Sequence, residues 1–361
     1  MKLLFLAFSL ILPSPAWAQN GGSAPPEMPR PEIAGRNVQL DAFPQAQATF
    51  ANGVRVLPEV RYAAPDGFRP LTLDIYLPPA TLARPPTGFP AILYIHGGGW
   101  INGDSHISGP IVDFPGLLAG MAARGYVVTS VNYRLSGEAK WPAQAQDIKA
   151  AIRFLRRHAA QYGADPSRLA AWGVSAGGHL SAIADATCGA APLQPPRSGA
   201  SGGRDGDDAD TTISDCVQAA VAWYGIFDVA SEADQARRAG AMSRDAPGAP
   251  EWLLLGCFKE KCPPGLIQSA SPVAYVNPDT PPMLLLTGDR DRTVPFEQTL
   301  EMDAALTKAG VKHETHVYSG ADHSLLGPTL EATRQANQDA IERTIRFIDA
   351  TIGTPRGSGA P

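Results

Sequence analysis

The feature of the sequence that most constrains the fold is the pentapeptide Gly-Val-Ser-Ala-Gly at residues 173–177. An apolar run leads into it, and small residues compatible with a helix follow it. This layout is typical of a nucleophile elbow, a tight strand-to-helix turn that presents a serine hydroxyl, here that of Ser175, at the end of a sheet. The serine of such a turn has a strained backbone, and Gly173 and Gly177 leave room for it. An ordinary glycine-rich connection between a strand and a helix has the same pattern. Other parts of the chain must therefore show whether Ser175 is a nucleophile.

Apolar patterns on both sides of this turn predict an α/β fold. Residues 71–77 alternate apolar and polar side chains, as a half-buried strand requires, and a partner strand is predicted at 54–62. Helical patterns separate the remaining strands, of which the last is a short one at 315–318. We therefore expect a mostly parallel central sheet flanked by helices. Continuous apolar runs, typical of strands covered on both faces, occur at 91–95, 126–131, 169–172, 217–224 and 283–286.

The N-terminus has the three parts of a secretory signal. Lys2 supplies the positive charge, residues 3–12 form a short apolar stretch, and Ala16-Trp17-Ala18 offers small residues at the cleavage positions. The apolar stretch is too short to span a bilayer comfortably. We therefore expect residues 1–18 to be a signal peptide. The mature protein is then expected to be periplasmic or secreted, with no transmembrane segment after cleavage.

Composition divides the rest of the chain. Residues 19–53 are rich in Gly, Pro, Ala and Gln and are predicted to be a flexible leader before a folded domain at 54–352. Residues 190–214 are dense in Gly, Pro, Asp and Ser, which predicts a disordered insertion. Residues 229–272 have no clear strand pattern, and a crossover of this length is expected to form a lid or a pocket wall. Residues 353–361 are expected to be a disordered tail.

The overall charge limits the kind of partner. The formal net charge of −5 argues against nucleic acid and anionic membranes, because both attract basic surfaces. The basic cluster of Arg153, Arg156 and Arg157 is interpreted as one solvated helix face. With 361 residues, of which 44% are hydrophobic, the chain can bury a large core as one α/β domain.

A glycine run supplies a second candidate functional feature. The apolar run at 91–95 is followed by a histidine, three glycines and a tryptophan. Backbone N–H groups of consecutive glycines can approach a ligand closely and stabilise a developing oxyanion. Gly97, Gly98 and Gly99 are therefore candidates for an oxyanion hole, together with Ala176, whose N–H follows the serine at the start of a helix.

Acidic and histidine residues follow two later strands. Asp289 and Asp291 come after the run at 283–286, and His323 comes after the predicted strand at 315–318. Sheets of this kind present functional side chains at such strand ends. Ser175, an aspartate and His323 thus follow the chain order of the α/β-hydrolase triad. Together with the glycine run, these features favour nucleophilic catalysis over a plain glycine-rich turn.

The four cysteines of an exported chain predict disulfides. Cys257 and Cys262 are close in sequence and would close a small loop inside the crossover. Cys188 and Cys216 flank the predicted insertion and could close it off. A zinc site is the alternative, but the paired Cys-x-x-Cys spacing that it favours is absent.

Several motifs, specific in combination, extend over about residues 54–350. They are His-Gly-Gly-Gly-Trp at 96–100, Asn-Tyr-Arg at 132–134, Pro142 with Asp147, Gly-Ala-Asp-Pro-Ser-Arg at 163–168, Gly-Val-Ser-Ala-Gly-Gly-His-Leu at 173–180 and Gly-Asp-Arg-Asp-Arg-Thr-Val-Pro at 288–295. In these motifs the chain resembles bacterial carboxylesterases of the α/β-hydrolase superfamily, in the branch of feruloyl-esterase-like and acetylesterase-like proteins. The resemblance implies the α/β-hydrolase fold and hydrolysis of small carboxylic esters without a cofactor or a metal. The predicted insertion at 190–214 departs from a compact family member.

The resemblance also implies which aspartate completes the triad. It places the acid three residues after the glycine that ends the strand, which makes Asp291 the acid. From the residues alone, periodicity does not separate the two candidates, because residues two apart in an extended segment face the same side. Asp289 directly follows Gly288, where an aspartate often caps a turn, and Asp291 lies further out.

The expected chemistry is acyl transfer through Ser175, with His323 as the base and Asp291 orienting the imidazole. Two other function classes remain open. A serine exopeptidase of related fold would need an acidic or aromatic site for a peptide amine, and the sequence reveals none. A non-catalytic binding protein on a hydrolase fold need not retain a complete triad. Neither the natural ester nor the oligomeric state is encoded in a recognisable motif.

Overall fold

A computed structural model describes residues 45–65, 67–194 and 212–354. The predicted signal peptide, residues 19–44 of the predicted leader, the middle of the predicted insertion and residues 355–361 lie outside these ranges. The strands are β1 (Ala48–Thr49), β2 (Arg55–Ala63), β3 (Leu71–Leu77), β4 (Phe89–Ile95), β5 (Val127–Val131), β6 (Ala164–Val174), β7 (Ala219–Trp223), β8 (Met283–Gly288) and β9 (His313–Tyr318).

Within the described ranges, all of these strands form one sheet in the order β1-β2-β3-β5-β4-β6-β7-β8-β9. Neighbours from β5 to β9 pair in parallel, whereas β1, β2 and β3 form an antiparallel edge against β5. This is the mostly parallel sheet that the apolar runs predicted. Strand β1 lies before residue 54, inside the range predicted to be a leader, and pairs with β2 through Ala48 and Val56.

The helices are α1 (Phe114–Ala123), α2 (Ala143–Arg157), α3 (Ala159–Tyr162), α4 (Ala176–Ala186), α5 (Val229–Ala239), α6 (Pro250–Leu255), α7 (Leu266–Ser269), α8 (Glu297–Ala309) and α9 (Leu330–Ile352). Helices α1 and α9 pack on one face of the sheet, and α2, α4 and α8 pack on the other. No helix in the described ranges is long and apolar enough to cross a bilayer.

Burial on both faces explains the continuous apolar runs. In β4, Leu93 and Ile95 point into the core beneath α2 and α4, whereas Ile92 and Tyr94 point into the core beneath α1. All four side chains are fully buried. A strand that alternated apolar and polar residues would place uncompensated polar groups in one of the two cores, at a cost in folding free energy.

The predicted insertion is ordered at its described ends. A 3-10 turn at Ala191–Leu193 follows α4, and the side chain of Leu193 is buried. Both expected disulfides are present: Cys188 is bonded to Cys216, and Cys257 is bonded to Cys262. The first joins the end of α4 to the segment before β7.

The interpretation of the basic cluster as one solvated face is wrong for Arg153. This side chain is 2% exposed, and its Nε donates to the carbonyl oxygen of Ile213 over 3.0 Å. It lies 3.6 Å from Asp215, which also accepts from the buried Lys149 over 2.6 Å. Acceptors at the end of the predicted insertion and directly after it therefore compensate these cations, a pairing that helical periodicity cannot reveal.

Candidate active site

Ser175 lies between the carboxyl end of β6 and the first residue of α4. Its backbone has φ 55° and ψ −121°, a strained conformation for a residue with a side chain. Close packing beneath the turn maintains it. A Cβ atom on Gly173 would lie 2.2 Å from the Gly177 carbonyl oxygen, and one on Gly177 would lie 2.0 Å from that of Ile95. The Ser175 N–H also donates to the carbonyl oxygen of Trp223 over 2.9 Å.

His323 lies in the loop after β9, at the start of a 3-10 turn that runs to Leu325. Its Nε2 is 3.1 Å from Ser175 Oγ. The imidazole packs edge-on against the ring of Tyr224, with 4.7 Å between ring centroids. Its backbone N–H donates to Asp322, whose carboxylate also binds the backbone and guanidinium of Arg292. Asp322 therefore ties the histidine loop to the loop after β8.

Asp291 completes a hydrogen-bonded chain. Its side chain is fully buried, and Oδ2 lies 2.7 Å from His323 Nδ1. The other carboxylate oxygen, Oδ1, accepts from the backbone N–H groups of Thr293 and Val294, each over 2.8 Å. With its proton on Nδ1, the imidazole donates to Asp291 and leaves Nε2 free to accept from the Ser175 hydroxyl.

The structure places Asp289 elsewhere. Its Oδ1 accepts from the Gly320 N–H over 2.7 Å and thus braces the turn after β9. Asp291, and not Asp289, is the aspartate that the fold brings to His323.

The glycine run passes directly over the elbow. A Cβ atom on Gly97 would lie 2.9 Å from the carbonyl oxygen of Val174 and 3.3 Å from Ser175 Cβ. In the described part of the chain, the backbone N–H groups of Gly97, Gly98, Gly99 and Ala176 have no protein acceptor. Unpaired donors beside a serine hydroxyl form the arrangement that an oxyanion hole requires.

Neighbouring side chains hold this glycine run. The ring of His96 is buried and stacks on Tyr133, with 4.3 Å between ring centroids. Its Nδ1 lies 2.7 Å from the Gly97 carbonyl oxygen. Burial lowers the pKa of His96 to about 4, so the ring is neutral near neutral pH. Its role here is to hold the loop.

A cavity of about 450 Å³ opens above Ser175 and His323. Residues of the crossover at 229–272 supply part of its lining, so this segment forms a pocket wall. The lining has an apolar part, formed by Ile101, Ile107, Val174, Ile226, Met242, Pro250 and Val294, and a polar part that includes Tyr224, Arg244 and Glu251.

Sequence reasoning missed Tyr224, Arg244 and Glu251. The position of Tyr224 just after the buried run of β7 is a signal that could have identified it, because strand ends carry functional residues. Arg244 lies in the irregular loop between α5 and α6, and Glu251 lies at the start of the short helix α6. No periodic pattern in the sequence marks either residue.

Residues 73–306 match the sequence profile of the BD-FAE family. The chain belongs to the BD-FAE family. This match, together with the esterase relatives and structures described next, confirms its resemblance to carboxylesterases of the α/β-hydrolase superfamily and the predicted fold class.

Relatives of this BD-FAE member include two mycobacterial proteins. It is 32% identical over 279 residues to Esterase LipQ of Mycobacterium tuberculosis, covering 74% of this chain and 59% of LipQ. It is 29% identical over 253 residues to Esterase LipC of the same organism, covering 67% of this chain and 56% of LipC. The chain thus spans less than two thirds of the length of either relative.

Solved structures share the fold of this BD-FAE member. A truncated form of a carbohydrate esterase from gut microbiota is 29% identical with a TM-score of 0.60, covering 83% of this chain and 98% of that one. The apo form of Thermogutta terrifontis esterase 2 is 27% identical with a TM-score of 0.62, covering 82% of this chain and 94% of that one.

Proposed function

We propose that this BD-FAE member is an exported serine carboxylesterase, which hydrolyses small carboxylic esters through an acyl-enzyme intermediate. The observation that carries the proposal is the hydrogen-bonded relay from Asp291 through His323 to Ser175 at the floor of the cavity. The esterase names of its relatives and structural neighbours support the same reaction class.

In the first half of the reaction, His323 Nε2 accepts the hydroxyl proton as Ser175 Oγ attacks the ester carbonyl carbon. The imidazolium that forms lies against the Asp291 carboxylate, which stabilises its charge and holds the ring in the productive tautomer. His323 then returns the proton to the departing alkoxide, and the acyl group remains on Ser175. In the second half, a water molecule repeats these steps and releases the acid.

The N–H groups of Ala176 and of the glycine run Gly97–Gly99 are assigned to the oxyanion of the tetrahedral intermediate. Ala176 is the first residue of α4, where the helix dipole adds partial positive charge. Because the carbonyl oxygen gains charge only during attack, these donors stabilise the transition state more than the bound ester. Their shared position beside Ser175 explains why the glycine run and the elbow occur together.

The lining of the cavity bears on the exopeptidase alternative. Glu251, an acidic residue that the sequence did not single out, does line the cavity. However, its carboxylate lies 3.6 Å from the guanidinium of Arg244 and its side chain is 3% exposed. A carboxylate that is already paired with a buried cation is a poor site for a peptide amine. The apolar part of the lining suits an uncharged ester better.

Export is part of the proposal. Two disulfides form in the described chain, and such bonds persist mainly in oxidising compartments. The predicted signal peptide at residues 1–18 points the same way. Fractionation of the source cells, with detection of the N-terminus by mass spectrometry, tests this part: a mature chain that begins after Ala18 is expected outside the cytoplasm.

The activity is tested with short-chain nitrophenyl esters beside an aminoacyl nitroanilide. We expect ester turnover that Ser175→Ala abolishes, and labelling of Ser175 by a fluorophosphonate probe. Ser181→Ala is the matched control, because Ser181 is a buried serine on the same helix α4 and does not line the cavity. Preferred turnover of the anilide would favour the exopeptidase. Absence of both turnover and labelling would favour a binding protein.

A further inference from the structure

A buried charge cluster lies between the crossover and the aspartate loop. Arg244, in the loop between α5 and α6, is its only cation among the described residues, and its side chain is 4% exposed. Its Nε lies 3.2 Å from Glu232 on α5, and its Nη1 lies 3.6 Å from Glu251 on α6. The side chains of both glutamates are at least 97% buried. One guanidinium thus joins two helices of the crossover.

The same guanidinium reaches the loop that carries Asp291. Arg244 Nη2 donates to the carbonyl oxygen of Thr293 over 2.5 Å. The N–H of Thr293 in turn donates to Asp291 Oδ1. A second link lies beside it, because the Met242 N–H donates to the carbonyl oxygen of Arg292 over 2.6 Å. The crossover is therefore fastened to the short segment that wraps around the Asp291 carboxylate.

The charges of the cluster balance if one glutamate keeps its proton. Burial, reinforced by the neighbouring Glu251, raises the pKa of Glu232 well above its ordinary value. Burial raises the pKa of Glu251 less strongly, because the neighbouring Arg244 guanidinium opposes the rise. Glu251 is therefore the glutamate that faces Arg244 as an anion. Arg244 donates to Met242 Sδ and to the Thr293 carbonyl oxygen, and both glutamates lie within 3.6 Å of its guanidinium, so four groups define the direction of its planar fork.

We propose that Arg244 is a positioning residue, which holds the Thr293 carbonyl so that the Asp291 carboxylate stays aligned with His323. This inference rests on the proposed ester hydrolysis, because it assigns a role within that site. Arg244 acts through the aspartate loop and not by contact with the reacting atoms. Glu251 is the anionic partner of the guanidinium, and Glu232 packs against its Nε.

The test compares Arg244→Lys with Arg153→Lys. Both arginines are buried and lie near a carboxylate, but Arg153 lines no part of the cavity. A lysine keeps the charge and cannot reach both glutamates and the Thr293 carbonyl together. Arg244→Lys is therefore expected to lower kcat by about tenfold to a hundredfold, since small misplacements of catalytic groups have effects of this size. KM is expected to change by less than about twofold.

Two readouts separate positioning from mere stability. The rate of fluorophosphonate labelling of Ser175 should fall with kcat in Arg244→Lys. The downfield proton resonance of His323 Nδ1 should shift or disappear, because that proton reports the contact with Asp291. Arg153→Lys should lower the melting temperature and leave both readouts unchanged.

Glu232→Gln and Glu251→Gln complete the test. Glu232→Gln should keep kcat within about twofold, because the amide replaces a neutral acid. Glu251→Gln should lower kcat and the labelling rate, because it removes the anion that fixes Arg244. If Arg244→Lys does not fold, the kcat and labelling rate of Glu251→Gln test the inference by themselves.

Parental kcat and labelling in either Arg244→Lys or Glu251→Gln would overturn the inference, as would a rise in KM alone. Failure of the proposed function can be distinguished from failure of this inference, because in the first case the parent protein itself would hydrolyse no ester.

Discussion

Replacement of Asp291 by asparagine tests the relay at its buried end. Asp291 makes three hydrogen bonds: two at Oδ1 from backbone N–H groups and one at Oδ2 from His323. An asparagine oxygen can still accept both backbone bonds, so the aspartate loop should keep its shape. Only the atom that faces His323 changes, from an acceptor to an NH₂ donor.

This single change reverses the polarity of the relay. To accept from the new amide, His323 Nδ1 must lose its proton, which then resides on Nε2, 3.1 Å from Ser175 Oγ. In this tautomer the imidazole cannot accept the serine proton. The loss of kcat expected from a wrong tautomer in a Ser-His-Asp triad is about 10⁴-fold, equivalent to about 5 kcal/mol of transition-state stabilisation. Stability should fall by only about 1–2 kcal/mol, because two of the three bonds remain.

Steady-state turnover of a nitrophenyl ester and urea unfolding measure the two quantities separately. Asp289→Asn is the matched control, since Asp289 lies two residues away, accepts from the Gly320 N–H through Oδ1 and lies 4.0 Å from the exposed Arg290 guanidinium. Its kcat should remain within about threefold of the parent, with a loss of about 0.5–1.5 kcal/mol in the free energy of unfolding. A large loss of kcat in Asp289→Asn with a mild effect in Asp291→Asn would refute the assignment of the acid.

Three further predictions concern the glycine run, the disulfides and the buried histidines. Gly97→Ala should lower kcat on the order of a hundredfold with a modest change in KM. The reason is that the new Cβ would lie 2.9 Å from the Val174 carbonyl oxygen and displace the oxyanion donors. An unchanged kcat would contradict this prediction. Replacing Cys188 and Cys216 by alanine should lower the free energy of unfolding by about 2–5 kcal/mol. Replacing Cys257 and Cys262, which close a much shorter loop, should give the low end of that range. Equal stability of the parent and both variants in non-reducing urea titrations would count against this prediction. Burial lowers the pKa of His96 and of His179 to about 4, so between pH 6.5 and 4 the unfolded chain binds more protons than the folded one. The free energy of unfolding should therefore fall as the pH is lowered through this window, by up to about 3 kcal/mol for each histidine, and a flat profile would show that the two rings do not titrate in this way.

Much of the fold could be predicted because its signals are local. The strand at 71–77 was predicted with the bounds that the structure has, but the prediction that it is half-buried was wrong. Asp74 and Tyr76, on its predicted polar face, are 1% and 2% exposed, because that face is also covered. The amphipathic pattern of residues 328–352 predicts one helix, and α9 begins two residues later and ends at Ile352 as predicted. Where burial and periodicity diverge, the prediction was less accurate. Strand β6 begins at Ala164, before the apolar run at 169–172, because β4 pairs with this polar stretch. The helical pattern from 141 to about 162 predicts one helix, which the structure interrupts at His158.

Local chemistry likewise determined the candidate nucleophile and the glycine run. The elbow needs small residues at Gly173 and Gly177, because a Cβ atom at either position would collide with the backbone. This requirement is local, so the pentapeptide can be recognised from the sequence. The order of serine, acid and histidine is also a property of the sequence alone. These features identified Ser175, His323 and the two aspartates Asp289 and Asp291 as candidates before any distance was known, and the family resemblance pointed to Asp291.

Only the tertiary structure decided which of two aspartates faces the histidine, and which crossover residues support it. His323 is 148 residues from Ser175 and 32 from Asp291, and Arg244 is 49 from Thr293. Hydrogen bonds of 2.5–3.1 Å between such distant residues depend on how strands and loops meet at one edge of the sheet. Periodicity assigns a residue to a face of its own element. It carries no information on which loop of another element will lie opposite. For that reason the sequence could not show which side chain contacts His323, or that Arg244 contacts the loop of Asp291.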